Sequence, residues 1–309
     1  MNVLEEPQTI LLAGAGGGYD VFTGLPLYFA LRNAGKTVHL ANLSFAPIYA
    51  SSGKRSGPSI VEIDGSNEDE MRYFPELYLA RWLKSKRLPD TIYCIDRTGA
   101  ANVARAYEYL NETLKPDAVI LIDGGTDSLM RGDEPRLGTP HEDVASLAAV
   151  HALDVPVKLL ICLGFGIDNY HGVCHHYVLE AIADLIKSDG YLGAWSLTKD
   201  MPEVKLYAEA CEFVFQKMLN DPSIVNSSIL SAIDGDFGDF HATYRTKGST
   251  LYINALMSIY WSFTVDAVAG RNLYLDRIGE TRLFEDLMKE IAEFRISLPE
   301  RKLWVDLPL

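Results

Sequence analysis

Three stretches of this 309-residue sequence concentrate side chains able to do chemistry. The densest is Asp123-Gly124-Gly125-Thr126-Asp127-Ser128-Leu129-Met130-Arg131-Gly132-Asp133-Glu134, which holds carboxylates, hydroxyls and a guanidinium close together. Carboxylates crowded against an apolar interior have their proton affinities driven apart, which suits general acid/base work; such groups also suit hard cations. Asp127 or Asp123 is therefore expected to activate water or a nucleophile, with Asp133 assisting. Arg131 is expected to clamp a substrate carboxylate or phosphate bidentately. Gly124, Gly125 and Thr126 are expected to contact the ligand. The plain alternative is a solvated acidic loop whose aspartates cap turns.

The second stretch is Gly14-Ala15-Gly16-Gly17-Gly18-Tyr19-Asp20. Its glycines allow positive φ and bring backbone amides close to an anion at the start of a helix. Gly14, Gly16, Gly17 and Gly18 are expected to hold that anion, with Asp20 near the mouth. The run departs from the dinucleotide pattern, because Tyr19 stands where the third glycine belongs. The acid expected about 20 residues on is replaced by Asn42 and Ser44. Asn42 is retained as a ligand contact, but hydride transfer from NAD loses its usual ribose partner. An NADP-dependent reductase would need Asn42, Ser44, Lys54 and Arg55 to meet a 2′-phosphate. A tight strand-to-helix turn without ligand is the competing reading.

The third stretch is Gly164-Phe165-Gly166-Ile167-Asp168-Asn169-Tyr170-His171-Gly172-Val173-Cys174-His175-His176. Asp168 is expected to face the ligand, and His171 to serve as a base or substrate contact near neutral pH. If a helix has begun by His171, then His175 lies one turn on, a spacing that can bind metal. No residue set is assigned as metal ligands, and a divalent metal or a nucleotide is left open as cofactor. Cys174 lacks an electropositive neighbour to activate its thiol.

Other patterns fail on inspection. Gly35-Lys36-Thr37 lacks the leading glycine of a P-loop and runs from helix to strand. Asp234-Gly235-Asp236-Phe237-Gly238-Asp239 puts Gly238 and Arg245 where a calcium loop needs ligands. Tyr252, Tyr260, Trp261 and Phe263 read as core. Asp266, Arg271 and Asn272 follow them and are expected near the sheet edge.

The elements that position these loops follow from periodicity. Short apolar runs at residues 9–13, 37–41, 91–95, 118–122 and 157–162 read as strands, and the last two are almost continuously apolar, as in a parallel sheet buried on both faces. Amphipathic stretches at about 22–33, 100–114 and 142–153 read as the intervening helices. Residues 46–70 read as a long loop, and helices at 203–218 and 282–295 follow. The expectation is an α/β, Rossmann-like three-layer sandwich with a mostly parallel sheet, in one domain. Its core would span about 8–200, with a helical C-terminal extension over about 201–309. Ligands in such sheets bind beyond the carboxyl ends of the strands, where all three loops lie.

Composition narrows the function. The balance of 28 Lys+Arg against 42 Asp+Glu gives a net charge of −14, which disfavours nucleic acid as a partner. A hydrophobic content of 48% excludes wholesale disorder. No apolar run is long enough to span a bilayer, and no membrane partner is expected. The acidic N-terminus does not read as a signal peptide, and four scattered cysteines read as reduced thiols of a cytoplasmic protein. A homo-oligomer is the default expectation.

Two of these segments, Ala13-Gly14-Ala15-Gly16-Gly17-Gly18-Tyr19-Asp20 and Ile122-Asp123-Gly124-Gly125-Thr126-Asp127-Ser128-Leu129-Met130-Arg131-Gly132-Asp133-Glu134, carry a resemblance. With Leu137-Gly138-Thr139-Pro140-His141-Glu142-Asp143 and residues 257–275, they make the chain similar to the family named domain of unknown function 1152. The resemblance runs over nearly the whole chain and implies an α/β fold. It implies no activity and assigns no catalytic residue. The residues themselves point to a hydrolase or transferase acting on a small polar substrate that bears phosphate or carboxylate, such as a nucleotide or an amide. The alternatives are a nucleotide-binding sensor without chemistry and the NADP-dependent oxidoreductase.

Overall fold

The computed structural model describes residues 2–249 and 251–307. The strands are β1 (Thr9–Gly14), β2 (Thr37–Ser44), β3 (Lys54–Gly57), β4 (Ile60–Ile63), β5 (Ile92–Asp96), β6 (Ala118–Asp123), β7 (Val157–Cys162) and β8 (Tyr191–Ser196). A separate ribbon pairs β9 (Gly238–Asp239) with β10 (Tyr252–Ile253), and β11 (Ile259–Thr264) rejoins the main sheet. That sheet has nine strands in the order β3-β4-β5-β2-β1-β6-β7-β11-β8. Its centre, β5-β2-β1-β6-β7, is parallel, and both flanks are antiparallel.

Alternation along each central strand builds two cores. Leu11 and Ala13 of β1 face one side with α4 (Ala100–Leu114), α5 (Pro140–His151), α6 (His175–Lys187), α9 (Val265–Arg271), α10 (Leu275–Ile278) and α11 (Phe284–Ser297). Ile10 and Leu12 face the other, with α2 (Leu25–Asn33), α3 (Pro75–Ser85) and α7 (Pro202–Lys217). Each fully buried Leu or Ile on these faces contributes roughly 1.5–3 kcal/mol relative to exposure. The result is the expected Rossmann-like sandwich. No helix among the described residues is long and apolar enough to cross a membrane.

Three expectations need correction. Residues 46–70 are not simply a loop, because β3 and β4 form a hairpin that extends the sheet beyond β5. The hairpin escapes periodicity because β3 reads Lys-Arg-Ser-Gly, the charged composition of an edge strand. The segment after residue 200 is not only helical: β11 inserts antiparallel between β7 and β8, pairing Trp261 with Cys162 and with Ala194. Tyr260 and Phe263 are buried there, whereas Tyr252 is exposed on the separate ribbon. Finally, the helix expected over 22–33 is broken at Gly24 into a short α1 (Asp20–Thr23) and α2, with Pro26 in the first turn of α2.

The sheet topology makes the crevice. From β1 the chain winds outward to β2 and β5, then crosses back to β6 on the opposite side of β1. Loops leaving β1 and β6 therefore diverge, and the register aligns Gly14 with both Asn42 and Ile122 along one rim. Asn42 braces the glycine loop from behind. It is fully buried, its Nδ2 donates to the Gly18 carbonyl (2.9 Å) and to Glu76 Oε1 (2.8 Å), and its Oδ1 accepts from Val21 N (3.3 Å). Burial pushes the Glu76 carboxyl up to about 7, against the help of the Asn42 and Ser44 side chains.

Two outcomes follow from this architecture. A chain ending at Asp200 removes β11 and exposes the edge of β7, so it should lose its cooperative thermal transition or aggregate, as read by circular dichroism and gel filtration. Because the folded state holds the Glu76 proton more tightly than the unfolded chain does, this group's stabilising contribution is complete below pH 4.5 and disappears as pH rises to about 7. The Glu76→Gln variant should lose that slope. Urea unfolding at pH 5 and pH 8 should then show wild type falling by roughly 2–3 kcal/mol more than the variant.

Candidate active site

A cavity of ≈ 350 Å³ opens on the carboxyl rim beside β1 and β6. Five aspartates reach its wall from different segments: Asp20 after β1, Asp123 and Asp127 at and after β6, Asp143 from the first turn of α5, and Asp168 after β7. Gly16, Asp127 and Asp168 share this one wall. His171, Phe45, Tyr73 and Arg245 also line it. Larger hollows of ≈ 530 and ≈ 500 Å³ lie elsewhere, against α11 and against α2, without a comparable convergence of carboxylates.

Four of the five carboxylates are fixed by short-range donors. Asp20 Oδ2 accepts from Gly16 N (2.6 Å), and Asp168 Oδ2 from Thr126 N (2.6 Å) and the Thr126 hydroxyl (3.4 Å). Asp127 Oδ2 accepts from Thr139 N (2.8 Å) and its hydroxyl (3.3 Å). Asp123 Oδ2 accepts from Ser128 N (3.3 Å) and from the Ser128 hydroxyl. Asp143 differs: it is buried, and its Oδ1 has no hydrogen-bond partner.

The glycines of these loops make room for the carboxylates. A Cβ on Gly16 would stand 2.5 Å from Asp143 Oδ1 and 2.8 Å from Asp20 Oδ2. One on Gly124 would meet Asp20 Oδ1 at 2.8 Å, and one on Gly125 would meet Asp168 Oδ2 at 2.5 Å. Gly138, at φ +73, is held equally close to Asp127. The Gly16 amide, expected to await an anion, is already occupied by the Asp20 carboxylate.

Electrostatics follow from this crowding. Burial first, and neighbouring carboxylates second, push Asp20, Asp123, Asp143 and Asp168 upward; the principal neighbour is Asp123 for Asp20 and Asp127 for the other three. Burial also raises Asp127, opposed by the Thr139 N–H and by His171. Among the described residues no Lys or Arg forms an ion pair with any of the five. The nearest guanidinium pair is one residue away in sequence, Arg97 Nη1 to Glu142 Oε1 at 3.7 Å. Such an arrangement can share protons, polarise water or surround a cation.

Of the residues singled out by sequence, Gly16, Gly17, Gly18, Asp20, Asp123, Gly124, Asp127, Asp168 and His171 line the cavity. Gly14 and Asn42 stand behind the loop, and Gly125 and Thr126 serve Asp168. Arg131 and Asp133 are elsewhere. They form a two-point pair (Nε–Oδ1 3.0 Å, Nη2–Oδ2 2.7 Å) that Lys302 joins at 3.7 Å. That pairing leaves neither the clamp nor the assisting acid in the cavity wall.

His171 closes a 3-10 turn, and α6 begins only at His175, so the two imidazoles are not one α-turn apart. The Cys174 thiol is buried and donates to the Val305 carbonyl (2.9 Å). Lys54 pairs with Glu62, Arg55 donates to the Tyr49 carbonyl, and Asn42 and Ser44 are buried, so none offers a 2′-phosphate contact in the cavity. Asp266 is engaged by His151 and Lys158, and Arg271 by the Leu129 carbonyl.

Sequence reasoning assigned no role to Asp143. Its signal was a helix start, Thr139-Pro140 followed by acids in the first turn, which reads as ordinary dipole complementation until the fold turns it inward. Phe45, Tyr73 and Arg245 carried no local motif.

No curated protein and no solved structure matches the chain. Residues 67–298, about three-quarters of the sequence, match the family described as "Protein of unknown function (DUF1152)". That range contains Asp123, Asp127, Asp143 and Asp168, whereas the glycine loop and Asp20 precede it. The chain belongs to the DUF1152 family.

Proposed function

We propose that the cavity is the active site of a hydrolase or transferase acting on a small polar substrate that bears phosphate or carboxylate. The observation that carries this reading is the convergence of five carboxylates from separate strand-end and helix-start segments on one cavity at the topological switch point. Packing alone does not favour such a cluster, since like charges buried together destabilise the fold.

Asp127 is the best-placed base. Thr139 holds it through two bonds to Oδ2, so its other oxygen is available to take a proton from water or a substrate hydroxyl. His171, in the same wall, would relay or return that proton. Asp168, fixed by Thr126, would orient the nucleophile. Arg245 lies at the cavity and also bonds the Pro222 carbonyl (2.8 Å), a position from which it could meet an anionic group. The four free cysteines are all buried, which accords with an enzyme of a reducing compartment and with no role for a thiol nucleophile.

The test is a panel of small phosphate esters, nucleotides and amino-acid amides, with products followed by mass spectrometry. Wild type should turn over a member of that panel, and Asp127→Asn should slow it by at least about 100-fold. The variant's melting temperature should stay at or above that of wild type, since a buried negative charge is removed. Ligands that raise the melting temperature but emerge unchanged would assign the chain to the sensors instead.

A further inference from the structure

Among the described residues no Lys or Arg pairs with the carboxylate cluster in this cavity, and Asp143 Oδ1 has no hydrogen-bond partner. We propose that Asp20, Asp123 and Asp143 hold a hard divalent cation of the Mg²⁺ or Mn²⁺ class, through which an anionic substrate group enters the cavity. One oxygen from each residue lies within 4.8 Å of the others. An octahedral Mg²⁺ with ligands at about 2.1 Å sets neighbouring oxygens about 3.0 Å and opposed ones about 4.2 Å apart, so the three carboxylates draw together when the ion binds.

The second observation is Asp143 itself. Its side chain is almost wholly buried (4% exposed), yet Oδ1 has no donor, a state that normally destabilises a protein unless a ligand completes it. That oxygen lies over Gly16, beside the Asp20 carboxylate, and only the missing Cβ of Gly16 lets it be there. In the other two residues one oxygen each, Asp20 Oδ2 and Asp123 Oδ2, carries the amide and hydroxyl donors already described, which fix the cage without neutralising it.

The chemistry of the donor set selects the ion. Three carboxylates with no imidazole or thiolate among them suit an oxygen-seeking cation rather than zinc or copper. Five carboxylates against one His and one Arg in the wall favour a double over a single positive charge. The same charge resolves a conflict in the site. A phosphate or carboxylate approaching Gly16 would otherwise meet Asp20 where the loop amide should be. The bridging role for substrate rests on the enzyme reading above; binding of the ion does not.

Thermal melts of chelator-treated protein at constant ionic strength test the site directly. MgCl₂ or MnCl₂ at millimolar concentration should raise the melting temperature by roughly 5 °C or more, and Mn²⁺ titration should give one ion per chain. Asp143→Asn and Asp20→Asn should each melt higher than wild type without metal, because one repelling charge is gone, and should lose the metal increment. Glu62→Gln, a surface carboxylate outside the cavity, should keep it. The proposal is overturned by no increment with either metal, by an equal rise with NaCl in excess, by a rise with spermidine alone, or by a full increment in Asp143→Asn. A metal-dependent rise without turnover of any substrate would leave the ion site standing and remove the enzyme. Turnover undiminished in excess chelator would leave the enzyme standing and remove the ion's bridging role.

Discussion

Like charges held together away from water are the constraint on which this molecule turns. A single buried carboxylate without a cationic partner destabilises a fold by several kcal/mol, and here five are gathered around one cavity. What makes the gathering tolerable is the set of donors aimed at them. Backbone N–H groups of Gly16, Thr126, Ser128 and Thr139 each point at a carboxylate oxygen, and three neighbouring hydroxyls add to them. These dipoles are fixed by the turns that follow the strands, so they need not reorganise when a proton or a cation arrives. The raised proton affinity of the cluster is the other face of the same crowding.

The fold supplies the place. The chain reverses its winding direction between β1 and β6, so the loops leaving these two strands diverge and the cavity opens between them. Both strands are buried on both faces, so their ends are rigid, and the register between Gly14, Asn42 and Ile122 sets the height of the cavity floor. Asn42 and Glu76 then fix the glycine loop from behind through a buried network, and α5 brings Asp143 in from the far side of β6. On the other flank, Arg295 of α11 bonds the carbonyls of Gly132 and Glu134 at 3.0 Å each, tying the segment after Asp127 to the C-terminal helix. The C-terminal third is therefore part of the scaffold for the site, through β11 in the sheet and α11 beneath the loop.

The glycines change meaning in this light. In a nucleotide-binding loop they let amides approach a phosphate. Here Gly16, Gly124, Gly125 and Gly138 each stand where a side chain would collide with a carboxylate of the protein itself. Four glycines that each sit against a carboxylate indicate a loop system built around acidic side chains, with any anion reaching it indirectly.

The amino-acid sequence alone determined the central parallel sheet and half of the cavity wall. Nearly continuous apolar runs such as 118–122 and 157–162 favour burial on both faces, as in a parallel sheet, and the rule that ligands lie beyond the strand ends then pointed to Gly16, Asp123, Asp127 and Asp168. Those inferences use period and local order, and local order is what a sequence displays. Tertiary structure decided what depends on direction and on distant partners. Arg131 and Asp133 lie within the acidic stretch yet turn away to pair with each other and Lys302, because that pairing is available on their side of the loop. Asp143, twenty residues after Asp123, looked like a helix-start acid until the crossover after β6 carried it back over Gly16. Strand β11, only six residues long and last to be made, finds its place between β7 and β8 through hydrogen bonds to segments about 70 and 100 residues earlier. Period and composition record which residues want to be buried; they carry no term for which of two buried neighbours a charge will meet, and that is settled only when the sheet is assembled.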